Sequence, residues 1–595
     1  MRKKLVLGAL VALPLLTVAA QETIQPVPDQ TDLAAFQPKD TLLYIEAPGL
    51  PELLGSGLDH PFIKRLLTSE FGQAVLEESE ASPEELLRYV EDQFGIPVLP
   101  TLASLFDDGV GLGVYLRAGK PAWTLTARGD DAVRWREVLD IVLREVAADA
   151  GHEGALDEPT FSRDGVDVWL IGDELAIALS GRTFVAAPSR EMLRRSFARV
   201  NRQKDCLSDN PRFDAFEPSN TSSELIRAWV DVERVETLAN AGGDGEGLAR
   251  IRALASQPEV HLLLGSELAA LSQGDAMLAT LHVTDRALEL EVAGVGIDTG
   301  EFSQILPSVS EEPYDIGPMP IARTDDIVRG VVYRDFASLF ARRTDLFPAE
   351  VAPRFAQFAD QVALFFGGLD VETEVLPHLS PWLRVLVREV DEREGIEPEI
   401  ELPGLAVLAD VDSADKLGPY LMSAFQSAIS LTSVDRAQRG LPPFLLSMEL
   451  HEGVAISSAR FLPPMSGEPI DARFNLEPAA ALVGSTFVIG THVDIVRQVV
   501  TDLALGNVTR HSTDPGWLSL RGPALAQVGR SNFDALAMNS VLEDGKTMER
   551  ARHDIEMLLR IVRMIDDVTL RARRPAVDRV SFELSFSLGS TKEAR

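Results

Sequence analysis

Ser180-Gly181-Arg182-Thr183-Phe184-Val185 has a counterpart in the second half of the chain, Val483-Gly484-Ser485-Thr486-Phe487-Val488. Each reads as a glycine turn entering a strand. Gly supplies the positive φ of a tight turn, and Thr-Phe-Val favours extended backbone. A few residues beyond each, apolar side chains fall on one helical face: Met192, Leu193, Phe197 and Val200 in the first case, Val493 to Leu503 in the second. Turn, strand and amphipathic helix thus recur in the same order.

The correspondence extends outward. In the first half, Thr41 to Glu46 reads as a strand, with a helix around Pro61 to Leu67. Gly109 to Arg128 reads as two strands about a Gly119-Lys120-Pro121 turn. Asp130 or Asp131 then caps a helix bearing Val133, Val138, Ile141 and Val142. Val166 to Ala187 reads as a hairpin. In the second half, Ile327 to Tyr333 corresponds to the first strand. Gly404 to Asp410 corresponds to Trp123 through Arg128, again with a helix after it. The two ends match as well. Leu248 to Leu254 is helical in pattern and Met277 to Val292 reads as a hairpin about Thr284-Asp285-Arg286. Ala551, Ile555, Leu558, Val562 and Ile565 share a helix face, and Val580, Phe582, Leu584, Phe586 and Leu588 alternate as a half-buried strand.

These patterns predict an α+β chain of two tandem similar units, the second a duplication of the first. Each is expected to be a mainly antiparallel, curved sheet with helices packed on one face, because its strands alternate with polar positions. The alternative is two unrelated α+β segments. The expected boundaries are a signal peptide at 1–20, a flexible lead-in at 21–38, a first unit at 39–300, a linker at 301–323 and a second unit at 324–595. Pro307, Pro313, Pro318 and Pro320 cluster in the linker.

The N-terminus has the layout of an export signal. Arg2, Lys3 and Lys4 precede an apolar run from Leu5 to Leu16, and Val18 and Ala20 are small residues before a cleavage point at Gln21. The run is short for a membrane span, and no later stretch is long and apolar enough to be one. The expectation is a mature protein in the periplasm or outside the cell; a buried N-terminal helix is the competing reading. No cysteine follows the run to carry a lipid. Cys206 is the only cysteine, so the chain has no internal disulfide to rely on outside the cell. It reads as a small buried residue, and its reactivity is left open.

Net charge is −35, and removal of residues 1–20 strips three cations and no anions, taking it to −38. Such a surface repels nucleic acid and anionic lipid, and no basic stripe with interleaved aromatics offsets it. Partners are therefore sought among proteins and apolar ligands of the envelope, with no nucleic acid. An aromatic content of 6% argues against a sugar-stacking surface.

The chemical motifs are fragmentary. His451-Glu452 and His152-Glu153 begin like a zinc helix but lack a second His four residues on. Asp410, Asp412 and Asp415 suggest a calcium loop, yet the sixth position is Asp415 and the twelfth Leu421, where Gly and Glu are needed. A strand running into a helix capped by Ser413 fits them better. Ser413 and Lys416 have Ser-x-x-Lys spacing and Ser208-Asp209-Asn210 matches a second acyl-transfer element. Their order is reversed, and Lys546-Thr547 leads to Met548 instead of the Gly that would complete the set. Gly109, Gly111 and Gly113 alternate within a strand, which implies close packing or an edge. Asn220 and Asn507 carry glycosylation spacing, which is given little weight. No catalytic, cofactor-binding or metal-binding residue is assigned, and no cofactor is expected.

Gln37-Pro-Lys-Asp-Thr-Leu-Leu-Tyr-Ile-Glu46 after the signal, with the recurring Gly-x-Thr-Phe-Val turn, resembles a group of exported, uncharacterised bacterial proteins carrying a domain of unknown function, of planctomycete and cyanobacterial type. The resemblance implies an envelope or secreted location and carries no catalytic residues. The function expected is non-enzymatic binding or scaffolding. The alternatives are an exported hydrolase with a site assembled from distant residues, and a carrier of an apolar or lipid ligand.

Overall fold

A computed structural model describes residues 31–48, 50–56, 60–68, 96–149, 158–202 without 164 and 173–174, 204–216, 224–235, 274–296, 312–342, 363–390, 400–462 and 472–589 without 577–578, with isolated positions elsewhere. The signal segment 1–20, His152-Glu153, Asn220 and the helical pattern of Leu248 to Leu254 lie outside them. The chain forms two compact units, one carrying strands up to Gly296 and the other those after Ile297. The class is α+β, with antiparallel strands throughout.

The first unit holds β1 (Leu43–Glu46), β2 (Val110–Arg117), β3 (Lys120–Arg128), β4 (Phe161–Arg163), β5 (Val166–Ile171), β6 (Leu175–Ser180), β7 (Thr183–Ala187), β8 (Glu224–Asp231), β9 (Ala276–Val283) and β10 (Ala287–Val295). Their order across the sheet is β10-β9-β8-β1-β2-β3-β7-β6-β5-β4, each neighbouring pair antiparallel. The β2–β3 turn falls at Ala118-Gly119, both at positive φ, so Pro121 opens β3 instead of sitting in the turn. Helix α1 (Val98–Leu105) precedes β2, α2 (Ala132–Asp149) follows β3 and α3 (Arg190–Arg202) follows β7.

In the second unit β12 (Asp326–Tyr333), β13 (Trp382–Arg388), β14 (Gly404–Asp410), β15 (Leu445–His451), β16 (Val454–Arg460), β17 (Ala479–Val483), β18 (Thr486–Gly490), β20 (Gly516–Arg521), β21 (Ile565–Ala576) and β22 (Arg579–Leu588) form the sheet. The order is β22-β21-β20-β12-β13-β14-β18-β17-β16-β15, again all antiparallel. Taken strand by strand in chain order, it is the order of the first unit. Arg128 lies opposite Thr183 at the end of β3, and Asp410 lies opposite Thr486 at the end of β14. Helix α4 (Ala414–Gln438) follows β14 and α5 (Val493–Ala504) follows β18, as α2 and α3 follow β3 and β7. α6 (Gly522–Ser531), α7 (Phe533–Asp544) and α8 (Met548–Met564) lie between β20 and β21. In α8 the buried positions are Ala551 and Leu559, and Leu558 points outward, one residue off the expected face. Ile565 already belongs to β21.

Helices cover both faces of each sheet, which corrects the one-face expectation. In the first unit, Leu193, Phe197 and Val200 of α3 pack on Val166, Val168, Ala176, Ala178, Val185 and Ala187. Trp135, Leu139 and Leu143 of α2 pack on the opposite parity, Trp169, Ile177, Leu179 and Ala186. In the second unit, Val496, Val499 and Val500 of α5 cover Leu386, Ala406, Leu408, Ala481 and Val488. Leu417 and Leu421 of α4 pack with Val411 and, across the strand parity, Phe487. The cause lies in central strands such as β6, Leu-Ala-Ile-Ala-Leu-Ser, apolar at both parities and therefore driven to bury both sides. Each large apolar side chain so buried contributes roughly 1.5–3 kcal/mol.

Two smaller expectations change. Within the lead-in, Leu33–Phe36 is a 3₁₀ turn capped by Asp32, and Phe36 is fully buried edge-on to Phe197, with ring centroids 6.0 Å apart. Within the stretch read as a linker, β11 (Tyr314–Pro320) pairs with β19 (Val508–Ser512) as a separate ribbon.

Candidate functional site

Most of the residues singled out by motif have hydrogen-bond or ion-pair partners in the fold. Cys206 is buried and precedes the 3₁₀ turn Leu207–Asp209, and its Sγ donates to Asp209 Oδ2 at 3.2 Å. Burial, and then the Asp209 carboxylate, push its thiol pKa up, which disfavours the nucleophilic thiolate. Ser208 Oγ donates to Asp32 at 3.0 Å, and Asn210 Oδ1 accepts from the Arg212 amide at 3.0 Å to cap the next helical turn. Asp209 accepts from the Cys206 amide in turn, so all three side chains of the Ser-Asp-Asn triplet are taken up in structural hydrogen bonds. Ser413 and Lys416 are both exposed at the start of α4. Ser413 has φ +56 and its hydroxyl does not cap the helix, so the cap expected there is absent; its carbonyl accepts from the Lys416 and Leu417 amides instead. In the first unit Asp131 does cap, its Oδ1 accepting from Val133 at 2.8 Å. His451 Nε2 lies 2.9 Å from Thr501 Oγ1. Lys546 pairs with Asp544 and Asp554, and Thr547 caps α8. Among the described residues no group of three or more His, Cys, Asp or Glu is placed to hold a metal.

Gly111 and Gly113 are on a central strand, with no edge involved. A Cβ on Gly111 would stand 2.7 Å from Tyr44 Oη, and one on Gly113 would stand 2.1 Å from Gln37 Oε1. The glycines make a floor for two buried polar side chains of the Gln37–Glu46 opening. Glu46 beside them is buried, and that burial raises its carboxyl pKa even though Arg227 bonds it at 2.6 Å.

Asp410, read as a calcium candidate, is the partner of a buried cation. Arg384 is fully buried on β13 and donates to Asp410 Oδ2 at 3.1 Å and Oδ1 at 3.0 Å, while Thr486 Oγ1 donates to Asp410 at 2.7 Å. Arg384 also reaches the Pro318 carbonyl of β11 at 3.3 Å. Four residues on, on the same face of β13, Arg388 bonds Asp326 of β12 at 2.5 Å and Asp502 of α5 at 3.3 Å. These two arginines tie β11, β12, β14 and α5 to β13. Of the three carboxylates read as a calcium loop, Asp410 is thus already neutralised by Arg384.

Open clefts are found among the described residues. One of about 570 Å³ in the first unit is lined by Lys39, Asp40, Asn210, Arg212, Asp231 and Arg234. Arg212 bonds Asp231 at 3.0 Å, and Arg234 lies 3.4 Å from the same carboxylate. Its two arginines are thus matched by the Asp231 carboxylate. A second, of about 550 Å³ in the second unit, runs from Glu389 and Val390 to Gln527.

The feature that stands out is apolar and exposed. β15 is the last strand of the second sheet, and among the described residues it pairs with β16 alone. Met448 is 66% exposed and Leu450 76%, with Leu446 beside them. They share a parity with Ser457 across the ladder, and Ser457 accepts from Gln426 of α4. This places them on the α4 side of the sheet. α4 itself exposes Tyr420, Leu431 and Val434, and Leu441 in the connection from α4 to β15 is exposed as well. Single exposed apolar residues are ordinary; several on one edge strand and the helix on the same side of the sheet point to an interaction surface. Sequence reasoning missed it, since apolar residues at helix and strand spacing read as core.

No known family model and no curated protein matches the chain. Among solved structures, crystal form I of TP0453 aligns at 10% identity with a TM-score of 0.23, covering 45% of this chain and 79% of that one. Crystal form IV of TP0453 aligns at 10% identity and 0.23, covering 48% and 89%. Crystal form III aligns at 8% identity and 0.22, covering 48% and 91%. Likenesses this remote carry neither fold nor function to the chain.

Proposed function

We propose that this chain is an exported, non-enzymatic binding or scaffolding protein, built from a duplicated α+β unit, whose second unit presents an apolar docking face. The observation that carries the binding role is the exposed band of α4 and β15. The duplication is supported by the shared strand order and by the matched Thr183 and Thr486 positions. Export is supported by the residues before Gln21, and the native protein is expected to begin at Gln21; a retained Met1 would contradict export with cleavage.

The docking face is tested with the full chain and an apolar fluorescent dye, anilinonaphthalene sulfonate. The folded wild type is expected to bind it, and L431S/V434S/L450S to lose most of the signal while keeping its circular dichroism and melting transition. These positions are exposed, so the variant costs little stability. A wild type that leaves the dye dark, or a variant that binds it equally, would defeat the reading.

A further inference from the structure

We infer that the β15 edge is a self-pairing site, at which a second copy of this chain adds its own β15 antiparallel across a two-fold axis. The inference rests on the docking-face reading above and names its occupant.

The backbone geometry comes first. The β15–β16 hairpin turns through Glu452 and Gly453, both at positive φ, as a two-residue turn matching the strand twist requires. In such a hairpin the pair flanking the turn, His451 and Val454, exchanges backbone hydrogen bonds, and the pattern alternates from there. Ser447, Glu449 and His451 therefore spend their amides and carbonyls on β16. Leu446, Met448 and Leu450 direct theirs outward, away from the sheet. The outward backbone groups belong to the exposed apolar side chains.

The side chains are self-complementary about Met448. Antiparallel pairing centred there sets Met448 against its own copy and Leu446 against Leu450, all on the α4 face. On the other face it sets Leu445 against His451 and Ser447 against Glu449. No like charges meet. The one carboxylate in the pairing, Glu449, is already held by Arg497 at 2.6 and 2.7 Å. Same-face apolar pairs are the unit that stabilises a ladder, and an isologous contact of this kind closes at two copies.

The first unit shows what a guarded edge looks like in the same strand order. Its terminal strand β4 is three residues long, Phe161-Ser162-Arg163, ending on a cation. β15 has seven residues, with no Pro, Lys or register shift to discourage pairing. Edges lacking all of these devices are templates for another strand.

The test is sedimentation of the full chain across a concentration series, for wild type, M448K, M448E and an equimolar mixture of the two variants. Wild type is expected to dimerise. Each variant alone sets like charges opposite one another at the two-fold and is expected to weaken the dimer at least tenfold; the mixture sets Lys against Glu and restores it. Met448 is exposed, so both variants fold. A wild type that is monomeric throughout, or a dimer indifferent to M448K, overturns the inference. Dye binding by a monomeric wild type would leave the docking face standing and reject only the self-pairing; loss of both would reject both.

Discussion

Arg384 and Arg388 show how a side chain's class can mislead at the scale of one residue. In Trp-Leu-Arg-Val-Leu-Val-Arg the charged positions suggest the wetted parity of a strand, yet both guanidinium groups are fully buried beside Leu386. They are tolerated because carboxylates from β12, β14 and α5 meet them, which no local pattern announces. Gly317 is part of the same arrangement. It has φ +75, and a Cβ there would stand 2.1 Å from Arg384 Nη1 and 2.0 Å from Asp410 Oδ2. Gly440, with φ +73, has nothing within 4 Å of the same position. G440A is expected to cost only the left-handed penalty, about 1–2 kcal/mol. G317A adds an overpacking cost of about 1–3 kcal/mol and should unfold at a clearly lower denaturant concentration. Equal midpoints for the two variants would show that the buried pair does not depend on the close approach of β11.

At the scale of elements, much was legible. The Gly-x-Thr-Phe-Val turns do separate β6 from β7 and β17 from β18, and the helix after each lies where its apolar spacing put it. Those signals are local: a turn needing positive φ, a strand of β-branched residues, a periodic face. What was not legible depends on neighbours. The covering of both sheet faces follows from which strands become central. The exposure of Leu446, Met448 and Leu450 follows from β15 being last in its sheet, a fact about strand order and not about Leu445–His451 itself. The two edges β4 and β15 hold the same place in the two orders and differ in length and polarity. That contrast is why the docking face is proposed on the second unit.

At the scale of the molecule, two sheets of identical strand order are built from one chain without a disulfide, and their stability rests on apolar cores to either side of each sheet. Of the motifs that looked hydrolytic in sequence, Ser208-Asp209-Asn210 is taken up in hydrogen bonds and Lys546 in ion pairs, while Ser413 and Lys416 stand exposed at the start of α4. The net charge of −35 opposes close approach of two copies, so self-pairing through β15 should tighten as salt rises. The most direct measurement is amide hydrogen exchange of the full chain at low and high concentration, read peptide by peptide. The account predicts that exchange slows with concentration in the peptide spanning Leu445–His451 and stays unchanged in the peptide spanning Phe161–Arg163. Exchange at Leu445–His451 that is indifferent to concentration would contradict it.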